Sequence, residues 1–123
     1  PEKDARLVAD TLVQADLWGH QSHGVLRLGW YLDRIRNGVM KPVTNPEFVI
    51  DAGSVAVIDG HDGVGHVVTE LATREAVKRA KAHGLGAVMI PARWCNQTPY
   101  HDRRYDLAVI RVTGDELVAA KKA

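Results

Sequence analysis

Between Trp18 and Tyr31 the chain reads WGHQSHGVLRLGWY, and four of these residues could do chemistry together. Ser22 and His23 are adjacent, and a hydroxyl beside an imidazole can relay a proton. Arg27 follows His23 by four residues, one helical turn, and a guanidinium can grip a carboxylate with two parallel hydrogen bonds. Tyr31 is another turn on, on the same helical face. A proton relay beside a carboxylate grip suits the reduction of a 2-oxo acid or the oxidation of a 2-hydroxy acid. Each residue also has an ordinary reading. Ser22 could cap a helix, leaving His23 on the surface, and from residue types alone this is the commoner outcome. Neighbours on a helix do not face each other, so the pair needs a bend that turns both towards one cavity. Arg27 could pair with Asp33 or Glu2, and Tyr31 could be core.

The elements that must position these residues are legible from periodicity. A first helix is expected from Glu2 to Trp18, with Val8, Leu12, Ala15 and Ala5 forming one apolar stripe and Gly19 ending it. A second is expected from Gly24 or Val25 to Asn37, with Leu28, Tyr31, Leu32 and Ile35 on one face and Gly38 as its stop. The segment KPVTNP, from Lys41 to Pro46, is an extended linker. Phe48–Ile50 and Val55–Ile58 read as two strands of a hairpin turned at Asp51-Ala52-Gly53. A third helix is expected from Val67 to Ala82, burying Leu71, Ala72, Val77 and Ala80, and Ala87–Ile90 reads as a strand. Strand, helix and strand in that order form a parallel crossover. From Pro91 to Tyr105 periodicity is lost. Leu107–Ile110 then reads as a strand, and Thr113 with Glu116 has capping-box spacing for a short last helix.

The expected fold is therefore α/β: an amino-terminal helical pair, a small β-β-α-β unit, a carboxy-terminal strand and a short helix. The 123 residues make one domain's worth of chain, a helical arm over 1–45 and an α/β part over 46–123, with 91–123 an atypical tail. The 16 basic and 15 acidic residues balance to +1, which argues against nucleic acid or an anionic membrane as partner. No apolar run reaches the length of a membrane span. The lone Cys95 excludes an internal disulfide and, with no signal peptide at PEKDAR, points to a cytoplasmic setting.

Three other features carry less. The glycines of GHDGVGH follow a strand and precede a helix, but their order is not the dinucleotide fingerprint and no Lys or Ser/Thr follows for a phosphate. A structural turn is the better reading. Of the six histidines, His20 and His23 have two-ligand spacing, but no third ligand is evident and no metal is expected. Cys95 has no local base to make it a nucleophile.

Taken together, GHQSHGVLRLGWYLDRIRNGVMKP, VAVIDGHDGVGHVV and AVKRAKAHGLGAVMI resemble the amino-terminal part of the malate/L-lactate dehydrogenase family. Ureidoglycolate dehydrogenase, 2,3-diketogulonate reductase and piperideine-2-carboxylate reductase are of this type. The resemblance runs over residues 3 to 90. It implies NAD or NADP as cofactor, held by a fold other than the usual dinucleotide domain. It further implies a 2-oxo, 2-hydroxy or cyclic imino acid as substrate, and a homodimer. By that resemblance Ser22 and His23 belong to the proton relay, Arg27 grips the carboxylate and Tyr31 lines the same pocket. The cofactor-binding residues stay unassigned. After the strand at Ala87–Ile90 the family has an asparagine-rich turn with a histidine and glycine, commonly Asn-Ser-Asn-His-Phe-Gly, and here the chain reads PARWCNQ. His101 is too far along to stand in. The sequence thus resembles the family's first third joined to an unrelated tail, as a frameshift, a gene remnant or an engineered truncation would give. Two readings result: a truncated or divergent oxidoreductase of 2-oxo and 2-hydroxy acids that is inactive as this isolated chain, or a non-catalytic dimerisation or binding module derived from that scaffold.

Overall fold

A computed structural model describes residues 1–92 and 106–107. Helix α1 (Glu2–Leu17) is followed by two three-residue 3-10 turns, Gln21–His23 and Val25–Arg27, and then by helix α2 (Leu28–Arg36). Strands β1 (Glu47–Ala52) and β2 (Val55–Asp59) lead into helix α3 (Gly65–His83) and strand β3 (Ala87–Met89). Two short strands, β4 (Pro91–Ala92) and β5 (Asp106–Leu107), complete the described elements.

The α/β architecture is as expected, and so is the crossover. β1 and β2 form an antiparallel hairpin, β2 and β3 pair in parallel, and the sheet order is β1-β2-β3. The hairpin turns at Gly53, whose φ of 69° favours glycine. α3 covers the sheet through Val68, Ala72 and Ala76, which close a core with Ala56, Ile58 and Val88. The helix face is made of small residues for a geometric reason. A Cβ at Gly86 would lie 2.0 Å from the Ala76 carbonyl oxygen, so α3 and the start of β3 touch backbone to backbone.

Several boundaries differ from the sequence reading. The second helix begins at Leu28, not at Gly24 or Val25, because the chain first makes two tight turns anchored elsewhere. Of the stripe proposed on α1, only Leu12 is buried; Val8 and Ala15 are half-buried and Ala5 is exposed. On α2, Leu28 and Leu32 are exposed while Tyr31 and Ile35 are half-buried, so much of that apolar face is open. α3 buries Arg79 as well as its alanines, which periodicity of apolar residues could not show. Pro91–Ala92, expected to be irregular, pairs antiparallel with Asp106–Leu107. The rest of the expected carboxy-terminal strand, the short last helix, Trp94, Cys95, His101, Arg103 and Arg104 lie outside the described residues.

Candidate functional site

The bend that carries the candidate residues is built by α1. The carboxylate of Asp16 accepts the backbone N–H of Val25 at 3.0 Å. Gly24 is buried beneath it, and a Cβ there would fall 1.8 Å from Asp16 Oδ1. The acid therefore sits where any other side chain would be, and Gly24 leaves in an extended conformation that breaks the helix between the two 3-10 turns.

Within this bend Ser22 Oγ lies 2.9 Å from His23 Nδ1. Ser22 is not a helix cap: neither 3-10 turn nor α2 has a side-chain cap. A hydroxyl can donate to a neutral imidazole nitrogen and accept from a protonated one. His23 can thus gain or lose a proton at Nε2 while keeping its Ser22 hydrogen bond. The ordinary partners for Arg27 are also taken elsewhere, since Asp33 pairs with Arg36 at 3.4 Å and Glu2 with Arg6 at 3.3 Å. Arg27 Nε instead donates to the Ser22 carbonyl oxygen at 2.6 Å, and its guanidinium stacks 4.7 Å from the Trp30 ring centroid. One hydrogen bond and one ring fix the guanidinium without neutralising it.

His23, Arg27 and Tyr31 line one open cavity of about 990 Å³ between α1, α2 and α3. Ser22 does not line it and stands behind His23. Tyr31 meets His66, on the first turn of α3, edge to face at 5.3 Å between ring centroids. Burial holds the His66 imidazole below its usual pKa, in its neutral form near pH 7.

Two cavity residues were not anticipated, His66 and Arg34. Among the described residues, His66 Nδ1 and Arg34 Nε are buried polar atoms without a hydrogen-bond partner. Arg34 could have been found from spacing: Arg27, Tyr31 and Arg34 stand at i, i+4 and i+7, one helical face. His66 lies far along the chain, and only the packing of α3 brings it to Tyr31.

The glycine loop before α3 is a structural turn. A Cβ at Gly60 would meet Val68 Cγ2 at 2.6 Å, and one at Gly63 would meet Thr44 Cγ2 at 2.6 Å. His61 and Asp62 carry positive φ values of 47° and 62°. The Val64 N–H donates to Thr44 Oγ1 at 2.8 Å, and the Lys41 N–H to the Asp62 carbonyl at 2.9 Å. The bare glycine faces are turned to the chain itself, not to a ligand, so the described residues do not fit a dinucleotide cradle. Among them there is also no group of three or more metal-ligating side chains, and no helix is long and apolar enough to cross a membrane.

Residues 1–94 match the malate/L-lactate dehydrogenase family. The chain belongs to that family. A malate dehydrogenase of Pyrococcus horikoshii is 44% identical over 89 residues, which are 72% of this chain and 25% of that protein. An L-sulfolactate dehydrogenase of Methanocaldococcus jannaschii is 41% identical over 88 residues, 72% of this chain and 26% of that protein. The solved structure of the Pyrococcus horikoshii malate dehydrogenase superposes with a TM-score of 0.71 at 43% identity, covering 73% of this chain and 26% of that one. This malate/L-lactate dehydrogenase family chain therefore spans about a quarter of the length of the curated relatives it matches.

Proposed function

We propose that this chain is the substrate-gripping and proton-handling part of an oxidoreductase that interconverts 2-oxo and 2-hydroxy acids. One observation carries the reading. His23 and Arg27 line the same cavity, His23 with Ser22 at its Nδ1 and Arg27 with no carboxylate partner among the described residues. Arg27 would take the substrate carboxylate as a forked pair of charge-assisted hydrogen bonds. His23 would give a proton to the carbonyl oxygen as it becomes a hydroxyl, or take one in the reverse direction. Ser22 would keep the imidazole oriented through both charge states, and Tyr31, braced on His66, would form a wall. Malate, L-sulfolactate and hydroxycarboxylate dehydrogenases among the relatives support an acid of this class. NAD or NADP as hydride carrier, a homodimer and a cytoplasmic setting are part of the same proposal, and they rest on the family resemblance.

The loop geometry favours a second reading. With its glycine faces closed, the chain would serve as a non-catalytic dimerisation or binding module. The test is calorimetric titration with lactate and with oxamate, a stable mimic of a 2-oxo acid. The first reading expects millimolar or tighter binding of both that falls at least about tenfold in Arg27→Ala. No binding of either acid, or the same affinity in Arg27→Ala, would overturn it in favour of the module. Thermal stabilisation by NADH or NADPH alone would overturn the module reading.

A further inference from the structure

The cavity holds more cationic charge than one carboxylate requires. Its acidic residues, Asp33 and Glu70, are already engaged: Asp33 with Arg36 at 3.4 Å and Glu70 with Arg74 at 2.5 Å. That leaves Arg27 and Arg34, and among the described residues neither pairs with a carboxylate. Their residues are seven apart, so their Cα atoms stand roughly 10 Å apart along one face of the helix. Two long side chains at that separation can converge on a small ligand from its two ends. Arg34 is also held in place. Its carbonyl accepts the N–H of both Val39 and Met40, at 2.9 and 3.0 Å, which fixes the last turn of α2. Its Nε is buried without a partner, and leaving a guanidinium N–H unsatisfied is costly unless a ligand meets it.

We propose that Arg34 is a specificity-determining residue that binds a second acidic group, so that the site prefers a 2-hydroxy or 2-oxo diacid to a monoacid. This rests on the reading of Arg27 as the carboxylate grip. Arg27 takes the carboxylate next to the reacting carbon, and Arg34 takes the acidic group at the far end. Tyr31 lies between them on the helix face and keeps the middle of the ligand off solvent. His66, neutral and buried, can add one hydrogen bond without adding charge.

The experiment is calorimetric titration of the 123-residue chain with malate and with lactate, which differ by one carboxylate. The wild-type chain is expected to bind malate at least tenfold more tightly. Arg34→Met should lower the malate-to-lactate ratio by roughly 10- to 100-fold, and Arg34→Lys should restore part of it. Arg36→Gln removes the same charge outside the cavity and should leave the ratio in place, which separates a site from general attraction of a dianion. Far-ultraviolet circular dichroism confirms that each variant is folded. Equal wild-type affinities, or a ratio indifferent to Arg34→Met, would overturn the proposal. If lactate binding is still lost in Arg27→Ala, the carboxylate grip survives that failure. If neither acid binds, both readings fall together.

Discussion

The Asp16 carboxylate accepts the Val25 N–H, and this one hydrogen bond ties the amino-terminal helix to the turn that presents His23 and Arg27. The site therefore depends on a residue outside the cavity. Gly24→Ala would push a methyl group into Asp16 and is expected to cost about 1–3 kcal/mol, as an overpacked position does. Asp16→Ala should cost about 1 kcal/mol through the lost acceptor. Urea denaturation reads both, and lactate binding should weaken in each. Wild-type stability in Gly24→Ala would mean that the bend is held by something else.

A second expectation concerns pH. His66 has its pKa lowered by burial from the usual 6.5, so the unfolded chain takes up a proton at a pH where the folded chain does not. Its contribution to stability is complete above about pH 6.5 and is lost as pH falls below that value. The fall in Tm between pH 7.5 and 5 should be smaller in His66→Gln than in the wild type. An identical fall in both would show that His66 does not sense pH.

Arg79 supplies a third test. It is buried on α3, and its guanidinium bonds to Glu75 and, at 2.8 Å, to Asp51 on β1 while lying 5.3 Å from the Phe48 ring centroid. Desolvation alone would lower its pKa. The bonds and charges of Glu75 and Asp51 outweigh it, and the pKa rises instead. The cation thus stays charged and must stay paired. Glu75→Gln should cost about 2 kcal/mol by leaving a buried charge short of its partner. Asp51→Asn should cost less than about 1 kcal/mol, because Asp51 is more than half exposed. The reverse order in chemical denaturation would contradict this account.

Association is the fourth expectation. Leu17, Trp18 and Leu26 are each more than 70% exposed, and Phe48, Val49 and Ile50 are exposed on the edge strand β1. Open apolar surface on an unpaired edge favours self-association. The family resemblance implies a homodimer. Sedimentation velocity should show a dimer at high micromolar concentration, and a clean monomer would refute it.

The helices and the sheet were legible in the sequence because their signals are local. Gly19, Gly38, Gly53 and Gly84 mark ends and turns, and all four carry positive φ. What was not legible depended on contacts distant in sequence. The late start of α2 follows from Asp16 reaching over nine residues to Val25. The burial of Arg79 follows from Asp51, on another element. His23, Arg27 and Tyr31 could be read from one helical period, and Arg34 could have been read from the next. His66 could not, since nothing near it in sequence points to Tyr31.

The last prediction is that the purified chain has no measurable dehydrogenase turnover with malate, lactate or their oxo acids, under NAD or NADP, in either direction. A hydride must be delivered to a carbon held at near contact, and small misplacements cost orders of magnitude in rate. The described residues supply a carboxylate grip and a proton relay. Their glycine loop is closed on Val68 and Thr44, so it cannot receive a pyrophosphate. In the sequence, Trp94-Cys95-Asn96 stands where the family's asparagine-rich turn carries its second histidine. With hydride delivery unaided, proton transfer by His23 has nothing to act on, and substrate should bind without reacting. A spectrophotometric assay at 340 nm with both cofactors measures this directly. Robust turnover that disappears in His23→Ala would overturn the prediction and show that the whole chain builds a working site.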